Sequence, residues 1–184
     1  MFRHAKSDWD ADYDDDHARP LAARGVKAAR KMGLWLTTVG LVPEQALSST
    51  ATRARQTLAL AAEDGGWTGA ARITDALYGA SPEGVLHEIR QTSDDAASLV
   101  VVGHEPTHAQ LVSLLIGGGH IEMKTGAVAR IDLPVSRWAD LAPGRGTLAG
   151  LYTPSALRPG AYRKLRKAVK NARKALETDD GAAA

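Results

Sequence analysis

Three short stretches put arginine and histidine where phosphate chemistry could use them. Arg3 and His4 stand in RHAKS, Arg53 in SSTATRARQT, and His104 in VVVGHEP. Arginine offers a planar fork of N–H donors that matches phosphate oxygens. A neutral imidazole offers a ring nitrogen as nucleophile. Two arginines and two histidines brought together would bind a phosphoryl group and react with it. Ser7 and Lys6, just past His4, are candidates for the edge of such a pocket. Asp75 and Glu105 are the two carboxyls considered as a general acid for the leaving group, and Glu105 could equally cap a helix beginning at Pro106. HEPTH, His104 to His108, formally fits the pattern of a zinc helix. Pro106 inside it and Gly103 before it oppose the continuous helix such a site needs, so neither metal nor cofactor is expected. His17, His87, His108 and His120 are read as surface residues.

These side chains need elements to position them. Ser98–Val102 is a short, apolar, β-branched run, as expected of a strand buried on both faces of a parallel sheet. Gly103 breaks it, Pro106 marks a first helical turn, and an apolar run to Ile116 stops at Gly117–Gly119. His17 to about Leu36 reads as a helix with Pro20 near its start, which Gly25 and Gly33 argue against as one unbroken piece. Leu47–Ser49 predicts a short strand, Ala51–Ala62 a helix ended by Gly65–Gly66, and Pro82–Arg90 another helix. Ala127–Leu133 and Thr147–Tyr152 predict two further strands. The alternation implies an α/β layered sheet. Such sheets gather their sites at the carboxyl ends of strands, where helix N-termini favour anions.

The chain has 184 residues, 44% hydrophobic and 24% charged, which suits one domain with a tail. With no cysteine, disulfide scaffolds, cysteine-bound zinc, iron–sulfur ligation and thiol catalysis are excluded. No apolar stretch approaches the roughly 20 residues of a membrane span, and the N-terminus lacks the apolar core of a secretory signal. A cytoplasmic protein is expected. The net charge of +2 is uneven: residues 155–184 hold eight Lys/Arg against three Asp/Glu, and residues 1–154 hold fifteen against eighteen. Residues 1–154 are therefore expected as the domain, and 155–184 as a basic amphipathic helix with a disordered end. Tyr162, Leu165, Val169, Ala172 and Leu176 form the helix's apolar stripe, expected to pack on the domain. Asp8, Asp10, Asp12 and Asp14–Asp16 predict a solvated acidic loop. Few aromatics and a slightly acidic domain predict no nucleic-acid partner.

RHAKS near the start, SSTATRARQT further on and VVGHEP after an apolar strand resemble the histidine phosphatase superfamily. The order RHAKS, LYGASPE, VVGHEP and KTGAVARIDLP is similar to its SixA-like phosphohistidine phosphatase branch, from about residue 3 to residue 152. The resemblance implies a three-layer, phosphoglycerate mutase-like α/β fold with a mostly parallel central sheet flanked by helices. It implies that His4 is the nucleophile, Arg3 and Arg53 the phosphate clamps, and His104 the second histidine on the phosphoryl group, with His17 near the site. Glu105 beside His104 resembles the His-Asp pair of the acid phosphatase branch. The implied activity is hydrolysis through phospho-His4, with protein phosphohistidine as the first-choice substrate. A small-molecule phosphomonoesterase and a non-catalytic phosphate-binding module are the alternatives. The partner is then a phosphorylated protein or a small phosphorylated metabolite. One departure stands out: relatives carry several apolar residues before the RH pair, whereas only Met1 and Phe2 precede Arg3 here. Two residues fall short of a strand of about five. A partly empty central sheet position, and a natural chain that starts earlier, are the resulting expectations.

Overall fold

A computed structural model describes residues 1–157, 160, 163–169 and 171. The strands are β1 (Phe2–Arg3), β2 (Gln45–Ser49), β3 (Ala70–Thr74), β4 (Leu99–Gly103), β5 (Val128–Asp132) and β6 (Thr147–Tyr152). The helices are α1 (Ala23–Thr38), α2 (Thr52–Gly65), α3 (Pro82–Ile89) and α4 (Thr107–Ile116). The strands form one sheet in the order β3-β2-β4-β1-β5-β6. The β2–β3, β2–β4 and β1–β4 pairs are parallel, and β1–β5 and β5–β6 are antiparallel.

Strand periodicity sends alternate side chains to opposite faces. Phe2, Ala46, Val100 and Val102 pack with Met32, Leu36, Leu58 and Ala61 of α1 and α2. Leu47 and Val101 point the other way, onto Val85, Leu86 and Ile89 of α3 and Leu111 and Leu115 of α4. The result is three layers, as the resemblance implied. The apolar β4 run is a strand because both its faces are covered.

Several expectations change. α1 begins at Ala23, not His17. The stretch before it is engaged elsewhere: Ser7 bridges Leu21, the Asp8 N–H donates to the Pro20 carbonyl, and the Leu21 N–H donates to Gln56 Oε1 at 2.8 Å. Gly25 and Gly33 do not interrupt the helix. They sit where another backbone comes close, since a Cβ at Gly25 would strike the Lys6 carbonyl and one at Gly33 the Ala61 carbonyl. β3 carries no strand signal in its sequence because it is an edge strand, four of whose five residues are exposed.

The two-residue β1 does pair on both sides. The Arg3 N–H donates to the Ala127 carbonyl at 3.0 Å, and the His4 N–H to the Gly103 carbonyl at 2.9 Å. The Met1 ammonium and carbonyl bond Ala129. A cavity of about 700 Å³ is lined by Met1, Val100, Val101, Ala129 and Ile131 among others. The C-terminal stripe is only partly visible. Residues 163–169 are helical, with Leu165 and Val169 half-buried and Arg163, Lys164, Arg166 and Lys167 exposed. Tyr162, Ala172, Leu176 and the expected disordered end lie outside the described residues. No helix among the described residues is long and apolar enough to cross a membrane.

Candidate active site

The four strands that run parallel, β1, β2, β3 and β4, end on the same edge of the sheet. His4 follows β1 and His104 follows β4; Ser49 closes β2, and Arg53 lies in the first turn of α2 just beyond it. β3 leads through a short turn, Asp75–Leu77, to Tyr78. Topology therefore gathers residues far apart in the chain at one place, the usual one for ligands in open α/β sheets.

His4 is buried, and its Nδ1 lies 2.8 Å from the Ala5 carbonyl oxygen. A carbonyl only accepts, so the ring proton sits on Nδ1 and Nε2 keeps its lone pair. Burial, with the nearby His104, Arg53 and Arg3 charges, pushes the His4 pKa down to about 3. The ring is a neutral base near pH 7. The loop that holds it is tied to α2, because the Ala5 N–H donates to Thr57 Oγ1 at 3.0 Å and that hydroxyl donates to the Arg53 carbonyl at 2.7 Å. His104 lies with its ring centroid 5.2 Å from that of His4. Its Nε2 is 2.9 Å from Ser49 Oγ. Burial, then Arg53, lowers its pKa to about 4 against the opposing pull of Asp16.

Both arginines are anchored by carbonyls. Arg3 Nη1 donates to the Met123 carbonyl at 2.5 Å. Arg53 Nη1 donates to the Asp16 carbonyl at 2.5 Å, and its Nη2 to Asp16 Oδ2 at 3.0 Å. Each arginine keeps a buried Nε without a hydrogen-bond partner among the described residues. Burial works against the Asp16 carboxylate, but hydrogen bonds from Arg19 and Tyr78 and the Arg53 charge hold its pKa below the ordinary value. Tyr78 packs edge-on against His17 and His104, at 4.8 and 5.5 Å between centroids. His17 Nε2 lies 2.9 Å from Thr50 Oγ1.

The remaining sequence candidates divide. Ser7 is buried, and its hydroxyl meets Arg19 Nη1. Lys6 lends its carbonyl to the Ala22 N–H at 3.0 Å. Asp75 is exposed, and its described contact is a main-chain one, the Tyr78 N–H on its carbonyl at 2.8 Å. Glu105 is half-buried; its Oε1 accepts the Ala109 N–H at 3.2 Å, at the start of α4. Burial raises its carboxyl pKa above the ordinary value, against the Arg3 charge and the Ala109 N–H. The HEPTH stretch is not a continuous helix, since α4 begins at Thr107 and leaves His104 outside it. Two surface assignments are corrected. His108 is 1% exposed and packs on Gly103, where a Cβ would overlap its ring. His17 is half-buried in the site. Sequence reasoning missed Asp16, Arg19, Ser49, Thr57 and Tyr78. Asp16 is hidden within a run of aspartates, and Tyr78 gains meaning only from the end of an unforeseen strand.

Two neutral imidazoles and two anchored guanidiniums at one edge of the sheet can receive a tetrahedral anion and take its phosphoryl group. The comparisons agree with that chemistry. The model of the histidine phosphatase superfamily, branch 1, matches residues 1–78. An uncharacterized protein of Mycobacterium tuberculosis H37Rv is 38% identical over 161 residues, covering 83% of this chain and 99% of the relative. Among solved structures, a candidate phosphohistidine phosphatase SixA from Nakamurella multipartitia superposes with a TM-score of 0.73 at 30% identity, over 83% of this chain and 92% of the other. The protein histidine phosphatase SixA complexed with tungstate superposes with a TM-score of 0.73 at 28% identity, over 85% and 96%.

Proposed function

Because the chain belongs to the histidine phosphatase superfamily, in its SixA-like branch, and is a phosphatase, we propose that it works through a phosphohistidine formed on His4 and that its substrate is a protein phosphohistidine. The observation that carries this is the fixed tautomer of His4. With Nδ1–H held by the Ala5 carbonyl, Nε2 presents a lone pair beside His104 and the two clamps. Nε2 attacks phosphorus, the bond from phosphorus to the leaving nitrogen breaks, and the leaving imidazole keeps that electron pair and takes a proton from solvent water. Water then attacks the phospho-His4. The P–N bond breaks, Nε2 recovers its electrons, and inorganic phosphate leaves. A loose phosphoryl transition state asks mainly for positioning and for donors to its equatorial oxygens, which Arg3, Arg53 and His104 supply in this reading. A cytoplasmic setting belongs to the same reading.

The leaving group decides between substrate classes. Asp75 is exposed, and without an acid from it the reading favours an imidazole leaving group, which departs with little help. Glu105, whose carboxyl burial pushes up, favours the second reading, a phosphomonoester whose alkoxide needs a proton. Rapid quenching with a labelled phosphohistidine peptide should trap phosphate on His4. His4→Ala should lose at least about 10³-fold of kcat/KM and all of the label. Equal hydrolysis by both proteins would remove His4 from the mechanism. A preference for an alkyl phosphate over the phosphohistidine peptide, lost in Glu105→Gln, would select the second reading.

A further inference from the structure

Asp16 takes no part in the chemistry above, yet three side chains around the site meet on it. Both terminal nitrogens of Arg53 donate to it, one to its carbonyl and one to Oδ2. Its Oδ1 accepts Arg19 Nε at 3.0 Å and Arg19 Nη2 at 2.7 Å. The Tyr78 hydroxyl donates to Oδ2 at 3.1 Å. Arg19 reaches on to Ser7 Oγ with its remaining terminal nitrogen, and Ser7 lies three residues beyond His4 in the chain. The Arg19 and Arg53 side chains are each 6% exposed, while that of Asp16 is 49% exposed. One carboxylate at the rim is thus shared by two buried guanidiniums.

We propose that Asp16 is the positioning residue of the site: it fixes the plane of the Arg53 clamp before phosphate arrives and links that clamp, through Arg19 and Ser7, to the loop carrying His4. This rests on the phosphatase reading for its kinetic part alone. An unheld arginine samples many rotamers, and a bound anion would have to order it. A held one presents its donors without that rearrangement. Asp16 uses one N–H from each Arg53 terminal nitrogen, and each carries two. The second pair stays available to a phosphate. Under three donors Asp16 stays ionised, so it holds the clamp and does not protonate a leaving group.

The test is a mutant cycle on the full chain, read by tungstate titration calorimetry and by hydrolysis of a phosphohistidine peptide. Asp16→Ala should weaken tungstate binding about tenfold and lower kcat/KM about tenfold or more. In an Arg53→Ala background the same change should add less than about twofold, because residues acting as one unit are not additive. In an Arg3→Ala background the full loss should persist. Asp16→Asn keeps the main-chain carbonyl and the size but not the charge, and replaces Asp16→Ala if circular dichroism shows that variant unfolded. Equal losses in all three backgrounds, or unchanged or tighter tungstate binding, would overturn the proposal. An Arg53-dependent loss of tungstate affinity in a protein that hydrolyses no phosphohistidine would leave the positioning role standing and remove the proposed substrate.

Discussion

His4 and His104 owe their neutrality to their surroundings. Burial drives both pKa values down, from an ordinary 6.5 to about 3 and about 4. Both rings are therefore neutral across the neutral range, and the acid limb of kcat/KM should lie below about pH 5, where a freely titrating histidine would place it near 6.5. A limb at that ordinary value would show that His4 protonates as if exposed. The sign for stability follows from linkage. Below pH 6.5 the unfolded chain takes up protons that the folded histidines refuse. The stabilisation is complete above that value and is lost progressively as pH falls toward the folded values. The histidine contribution to the urea midpoint should be complete above about pH 7 and decline on acidification, while the buried Met1 amine, lowered from 8.0 to about 5, adds a rise that continues to about pH 8. In His4→Ala the decline should be shallower. Arg3, His4, Arg53 and His104 are legible in the sequence because their motifs are local. The tautomer of His4 is not, because it is set by the direction of the Ala5 carbonyl.

At the scale of elements, the register of β1 against β4 aims His4, the proposed nucleophile. The His4 N–H bonds the Gly103 carbonyl, so the two histidines leave adjacent strand ends together. α1 and α2 secure the other side of the site. Gly33 allows them to approach until a Cβ would meet the Ala61 carbonyl, and Thr37 Oγ1 bonds the Gly65 carbonyl at 2.8 Å. Gly33→Ala should force the helices apart and destabilise the fold by about 1–3 kcal/mol in urea unfolding, the usual cost of overpacking. An unchanged midpoint would mean that the helices slide freely. Sequence reasoning read Gly33 as a weak point within a helix. The tertiary contact makes it the condition for that helix to pack.

Across the whole molecule, Phe2 joins the site to the core. It is fully buried on a two-residue strand and packs with residues of α1, α2, β4 and β5. Phe2→Ala should cost about 3–5 kcal/mol of stability by the measure of buried aromatic deletions. It should also lower kcat, since the next two residues are Arg3 and His4. Stability lost with kcat unchanged would show that the backbone bonds of β1 alone hold His4.

The sequence by itself determined the layered α/β class, the buried β4 strand, most helix positions and the four residues of the candidate pocket, because periodicity, glycine and proline punctuation and short motifs are local properties of the chain. Tertiary structure alone decided that Asp16 bonds both Arg53 and Arg19, that Tyr78 packs on His17 and His104, that His108 is buried and that AARIT is an edge strand. Each of these depends on which distant backbone lies alongside, and on the direction in which a carbonyl or carboxylate there points.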